Sequence, residues 1–321
     1  MTHRATRTEW LIFLALGFFW GSSYLFIKLA VDDFGTFTLV ALRLLFGAGL
    51  LWSVVLVSRV ELPREPRVYG HLVVMSAINI AIPFALITWA ERSVDSSLAA
   101  ILTAAVPLFV IVLAPIFLPD EPIRVNGLAG LAVGFVGVVI LTGRDLSGSG
   151  TELVGAMALI GAALSYACGA IYARRNVRGL RPMVPAVLQV SFAFLIMTAM
   201  AVLFEHPLDS SPDAQAIFSI VWLGLLGSGL AYLCFFRLLG PWGATRLTMV
   251  SYVIPVVGIL LGFIVLNEAI DGRVLFGTAL ILAGIGLVNS PYGRRRVFGR
   301  RPLAEPTETS SDGSSEATGL A

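Results

Sequence analysis

The sequence is short of charge. Asp, Glu, Lys and Arg make up 13% of its 321 residues, against about 25% in an ordinary soluble domain. With 22 basic and 20 acidic side chains it lacks the polar cover that a water-soluble fold of this size requires. Hydrophobic residues reach 57% and the mean hydropathy is +0.87. A soluble enzyme, a nucleic-acid-binding protein and a disordered chain are thereby excluded. Lysine is nearly absent, Lys28 standing alone among arginines. Cys168 and Cys234 lie inside apolar stretches, too few for a disulfide framework and without a local His or carboxylate to make a metal site. The histidines, His3, His71 and His206, fall near the ends of apolar stretches or outside them. No Asp or Glu stands in the middle of such a stretch. No Ser-His-Asp set, His-rich metal set or carboxylate pair assembles at one depth, so an intramembrane enzyme is disfavoured. A relay of buried carboxylates for proton coupling is missing on the same grounds. No cofactor and no metal are expected.

Long apolar runs are what the chain does have. A bilayer-spanning helix needs about 20 apolar residues, because the hydrocarbon core is about 30 Å thick and each residue rises about 1.5 Å. Runs free of Asp, Glu, Lys and Arg occupy 10–27, 68–90, 96–119, 125–143, 153–173, 182–204, 214–236, 247–267 and 274–293. A tenth, 34–58, is interrupted by Arg43. The expectation is an all-α membrane protein of ten transmembrane helices. The first run is too long for a cleaved signal peptide, and no small-residue cleavage site follows it. The arginines set the orientation. With a cytoplasmic N-terminus, 17 arginines fall inside and only Arg92, Arg144 and Arg273 fall outside. That bias places the chain in the cell membrane with both termini cytoplasmic. Residues 1–9 read as a cytoplasmic N-terminus and 291–321 as a cytoplasmic tail. Arg294–Arg296, Arg300 and Arg301 belong at the lipid surface, and the Ser-, Thr-, Gly- and acid-rich stretch that follows reads as disordered.

The two halves of the chain resemble each other. AAVPLFVIVLAPIFLPDEPI (104–123) matches YVIPVVGILLGFIVLNEAI (252–270): Pro107 aligns with Pro255 and Glu121 with Glu268, while Gly130 and Gly137 align with Gly277 and Gly284. Farther back, Gly17 and Ile27 align with Gly161 and Ile171. The offset stays between 144 and 148 across five spans. Five is an odd number, so the second half starts on the opposite side and the repeats, 10–143 and 152–290, are inverted. Inverted halves suit alternating access to a central site.

The first span carries WGSSYLFIKLA (20–30), an Arg follows in the second, and the fourth and ninth each end in a Pro…Glu segment. With ten spans in two repeats and basic cytoplasmic loops, the chain resembles the drug/metabolite transporter superfamily, specifically its ten-helix EamA-type exporters. Pro119-Asp120 before Glu121, and Tyr24 in place of a common Phe, depart from the family pattern. The resemblance implies that helices one to four and six to nine surround a central cavity, with five and ten packed outside.

Arg43 is the foremost site candidate, because a charge about eight residues, or roughly 12 Å, into a span normally faces protein or water. Its guanidinium suits a carboxylate or phosphate on a substrate. The alternative is an ion pair with Asp32, Asp33 or Glu91. Gln189 occupies the corresponding place in the second half. Trp20, Ser22, Ser23, Asn79, Trp89, Tyr166, Tyr232 and Tyr252 complete a set of polar and aromatic residues that could line a substrate site or simply join helices. Lys28 reads as snorkelling to the headgroups, with Asp32 at i+4. Pro107 and Pro255 are candidate bending points, as is Pro83 beside Asn79. Glu121 and Glu268 are candidate gating or coupling groups, or else helix-end anchors. The glycines Gly127, Gly130, Gly134 and Gly137 share a helical face, for close packing within the chain or against a second copy in a homodimer. The expected function is secondary-type export of a small metabolite, such as an amino acid with an anionic group. The expected partners are that substrate and the bilayer. The alternative is an integral-membrane enzyme acting on a lipid or headgroup.

Overall fold

The computed structural model describes residues 6–117, 123–142, 150–177, 180–181, 183–207, 211–235, 237–238, 250–289 and 296–298. Among the described residues, seven helices are long and apolar enough to cross a membrane: α1 (Arg7–Ala30), α2 (Thr36–Val57), α3 (Pro66–Ala90), α4 (Ser96–Phe117), α6 (Gly150–Asn176), α7 (Met183–Phe204) and α8 (Ala214–Phe235). Three further apolar helices, α5 (Val125–Thr142), α9 (Val250–Leu266) and α10 (Gly272–Asn289), stand at the remaining expected spans. The ten-helix expectation is met.

Local chemistry starts several of these helices. Thr6 opens α1 with a reciprocal cap: its hydroxyl accepts from the Glu9 amide at 3.2 Å, and Glu9 accepts from the Thr6 amide at 2.9 Å. Asp213 accepts from the Ala216 amide at 2.7 Å at the start of α8, and Asp271 from Val274 at 2.8 Å before α10. Each supplies an acceptor to amides that have no partner within the helix.

Three spans are not regular α-helices. In α3, residues Ala77–Ala81 widen into a π turn just before Pro83. In α8, Leu223–Leu230 does the same over the glycine-rich run LGLLGSGL. The two π segments begin 146 residues apart, within the range of offsets that relates the halves. The α4 span breaks at Ala104–Ala105, two residues before Pro107, where the ring removes an amide donor and crowds the preceding turn. Its counterpart Pro255 sits inside α9, which runs on through it as a helix.

Packing divides the bundle. The α5 and α10 helices pair closely with each other. A methyl on Gly137 would lie 2.8 Å from the Gly277 carbonyl oxygen, and one on Gly284 would lie 2.6 Å from that of Gly130. Gly130, Gly134 and Gly137 are thus used within the chain, backbone against backbone, while Gly127 faces the Ile111 side chain of α4. Two large cores gather most of the other helices, and a smaller one joins Phe13 and Leu16 of α1 to Ala231 of α8 and Val250 of α9. Of the large cores, one gathers Tyr24, Leu39, Leu102, Leu159 and Leu223, and the other Leu44, Leu51, Leu72, Ile80 and Val187. Cys168 is exposed on the α6 surface rather than buried, and Cys234 is half-buried. Two short strands were not expected: β1 (Ile123–Arg124) pairs antiparallel with β2 (Arg296–Phe298), tying the basic segment after α10 to the start of α5.

Candidate functional site

Arg43 lies on α2 with 3% of its surface exposed. Its Nε donates to Ser228 Oγ at 3.2 Å, and its Cζ stands 4.2 Å above the Phe84 ring. That stacking suits a delocalised, weakly hydrated cation. The alternative ion pair is not made: among the described residues, no carboxylate is bound to Arg43. Glycines admit the cation to this position. A Cβ on Gly224 would lie 2.7 Å from the Arg43 carbonyl oxygen, and one on Gly227 would lie 3.4 Å from Nη2. The π turn of α8 therefore presents Ser228 to α2 at backbone distance.

Gln189, the counterpart of Arg43, makes the counterpart contact. Asn79 Nδ2 donates to Gln189 Oε1 at 3.2 Å. In both cases a residue of the second helix of one half meets a residue in the π segment of the other half. The α3 π turn is supported by Ser165, whose hydroxyl donates to the Ile78 carbonyl at 2.6 Å. Such a bond fills a gap that the wider turn opens in the backbone ladder.

Around Arg43 the structure gathers part of the predicted set. Ser22 and Ser23 both donate to the Phe19 carbonyl, at 3.2 and 2.9 Å, and Ser22 accepts from Trp222 Nε1 at 3.2 Å. Trp20 packs against Tyr232 and Phe235, with ring centroids 6.4 and 5.8 Å apart. Tyr166 lies against the core that contains Tyr24, which bonds to Thr103. Trp89 stands apart, 44% exposed on the outside of α3. Tyr252 belongs to α9, but its side chain lies outside the described residues, as does Glu121 altogether.

Carboxylates join the two halves at one end of the bundle. Glu268, just after α9, accepts from the Ser96 amide and hydroxyl, both at 2.8 Å, and from the Ser97 amide at 3.0 Å. It thereby caps α4, a helix of the other half. Asn267 makes this turn with φ 54, a left-handed conformation that Asn tolerates. Glu205, just after α7, accepts from the Phe37 amide at 2.9 Å and from the Thr38 amide and hydroxyl at 2.8 and 2.7 Å. It caps α2, across the halves in the same way. Anionic groups belong at helix N-termini, where unpaired amides and the helix dipole meet them. A recess of about 420 Å³ opens at this end, lined by Asp32, Asp33, Phe34, Gly35, Arg92, His206 and Ser211.

Sequence reasoning missed Glu205, Ser228 and the environment of Glu91. Glu205 had a legible signal, since it follows an apolar run directly, as Glu268 does. Ser228 had none, because a serine among glycines in an apolar run reads as packing. Lys28, half-buried, reaches the turn that follows α3. Its Nζ donates to the carbonyl oxygens of Glu91 at 2.6 Å and Val94 at 3.1 Å, at the end of α3.

Known proteins resemble this chain along most of its length. A transporter of Bacillus subtilis, the uncharacterized YoaV, is 25% identical over 284 residues, covering 87% of this chain and 95% of its own. A protein of Salmonella typhimurium described as a probable amino-acid metabolite efflux pump is 26% identical over 288 residues, 87% and 94% of the two chains. The uncharacterized inner membrane transporter YedA of Escherichia coli is 27% identical over 280 residues, 84% and 89%. One solved crystal structure superposes with a TM-score of 0.63 at 23% identity, over 88% of this chain and 96% of that one, which establishes a shared fold. The model of the EamA-like transporter family matches twice, at residues 8–143 and 153–290, so the chain belongs to the EamA-like transporter family.

Proposed function

We propose that this chain is a secondary transporter that exports a small metabolite carrying an anionic group, an amino-acid carboxylate being the simplest case. The observation that carries the reading is Arg43. It is a buried cation bonded to a neutral hydroxyl and stacked on a ring, with no carboxylate among the described residues to neutralise it. A charge held this way costs several kcal/mol of desolvation unless something compensates it. A substrate anion arriving between α2 and α8 supplies that compensation. The neighbouring serines and aromatics then orient the rest of the molecule.

The transport cycle follows from the polar seam. Arg43–Ser228 and Asn79–Gln189 join the two halves near their middles, while Glu205 and Glu268 join them at one end. Alternating access in two inverted repeats requires the halves to separate at one end and then at the other, about such a middle. With both termini cytoplasmic, the carboxylate-capped end faces outward and is closed in this conformation. The name of the Salmonella relative speaks for an amino-acid-like substrate.

Arg43 variants test this reading. Purified protein in liposomes is loaded with a radiolabelled amino-acid mixture and its efflux followed. Arg43→Lys keeps the charge but loses the planar fork, and weakens transport. Arg43→Gln weakens it further, by the about 1.5–3 kcal/mol of lost charge-assisted hydrogen bonds, roughly ten- to a hundredfold in affinity. If Arg43→Gln folds normally and transports at the wild-type rate, Arg43 is not in the site.

A further inference from the structure

The sequence holds no carboxylate in the middle of a span, yet the fold buries one completely. Glu91, the residue after α3, is 0% exposed. Both of its carboxylate oxygens are buried without a hydrogen-bond partner among the described residues. The two nearby cations are engaged elsewhere. Lys28 on α1 binds main-chain carbonyls, one of them that of Glu91 itself, and Arg43 on α2 binds Ser228. The groups whose fields reach the carboxyl are Lys28, Glu268 beyond α9, and Arg43. The Tyr24 hydroxyl on α1, a further titratable group on this side, is bonded to Thr103.

An ionised carboxylate without hydrogen bonds is among the costliest groups to bury, and a neutral acid is far cheaper. Glu268 adds to that cost, because it is a second carboxylate in range and is itself tied to the amides of α4. Lys28 opposes it, but is held by two carbonyls at a place from which it bonds neither carboxylate oxygen. Glu91 also sits at the end of the bundle that Glu205 and Glu268 close. Separation of the halves there would bring water to it.

We infer that Glu91 is a proton-binding site, occupied by a proton while this end of the bundle is closed and emptied to water when the end opens. The step balances simply. On opening, the carboxyl O–H bond breaks, the proton passes to water on that side, and the remaining carboxylate is compensated by Lys28. On closing, the same proton is taken up again. Closing therefore binds a proton, so it is favoured as pH falls and opposed as pH rises through the titration of Glu91. This rests on the alternating-access reading above only for its link to transport. The protonation itself stands on burial and missing partners.

Two measurements on the full-length protein test it. The first needs no substrate. Difference infrared spectroscopy of wild type against Glu91→Gln at neutral pH is expected to show a protonated-carboxyl stretch that Glu91→Gln lacks and Glu91→Asp retains at a shifted position. Absence of that band in the folded wild type means that Glu91 is ionised and overturns the inference. The second measures flux of the radiolabelled amino-acid mixture in liposomes with and without a gradient of about one pH unit, which one coupled proton can convert into an about tenfold concentration ratio. In Glu91→Gln the ratio of the two fluxes is expected to fall to about one. An undiminished ratio overturns the coupling. If wild type moves no amino acid at all, the substrate reading fails, while the infrared band still decides Glu91.

Discussion

Small residues do the least ambiguous work at the level of single side chains. Gly224 is where α8 touches the backbone of α2, and an added methyl would meet a carbonyl oxygen at 2.7 Å that cannot swing aside. Gly49, on the same α2, has open space within 4 Å. Gly224→Ala should therefore cost about 1–3 kcal/mol by overpacking, whereas Gly49→Ala should gain up to about 1 kcal/mol from helix propensity. Melting in detergent separates the two: equal shifts would refute the close approach of α2 and α8. The seat of Arg43 depends on the same crossing, so Gly224→Ala should also reduce transport. Arg43 itself could be read from the chain as a buried charge. Its partner could not, because Ser228 is brought to it by a π turn that no spacing rule marks.

Helix ends decide how the halves are joined. Each of Glu205 and Glu268 accepts two amides and a hydroxyl at the start of a helix in the other half. Gly35 is required beside Glu205, since a Cβ there would lie 2.7 Å from Oε1 and nearer still to the other carboxylate atoms. Replacing either glutamate by Gln removes the charge from a helix N-terminus, a loss of about 1 kcal/mol and so an about fivefold change in local opening. Hydrogen exchange should report this locally. Glu205→Gln should speed exchange at Phe37 and Thr38 and leave Ser96 and Ser97 as they were, and Glu268→Gln should do the reverse. If neither variant changes either pair, the carboxylates are not what holds this end together. The Pro…Glu repeat in the sequence pointed to Glu268 but not to where it reaches, because the capped helix is 172 residues away along the chain.

For the molecule as a whole, orientation is the property to test. From the arginine count, both termini are expected in the cytoplasm and the loop after α7 outside. In a background with Cys168→Ser and Cys234→Ser, a membrane-impermeant thiol reagent added to intact cells should label Ser211→Cys and spare Ser311→Cys. Labelling at 311, or none at 211, would reverse the assignment of the carboxylate-capped end to the outside.

Hydrophobic run length was enough to establish ten helices and the burial of Arg43, and matched residues at a nearly constant offset established the likeness of the halves. The first two are properties of how much apolar surface each segment carries, and the bilayer reads them segment by segment. The glycine stripe of α5 and its echo in α10 were visible too, but not their mutual pairing. Which polar groups meet was settled only by the fold. Arg43 faces Ser228 and Phe84 rather than an acid. Lys28 binds the carbonyls at the end of α3, and Trp89 turns away from the seam. Glu91, at the end of an apolar run, reads from the chain as a group at the membrane surface. Whether such a residue is wet or dry depends on what the neighbouring helices place over it, and here α1 and the turns around it leave its carboxyl fully buried.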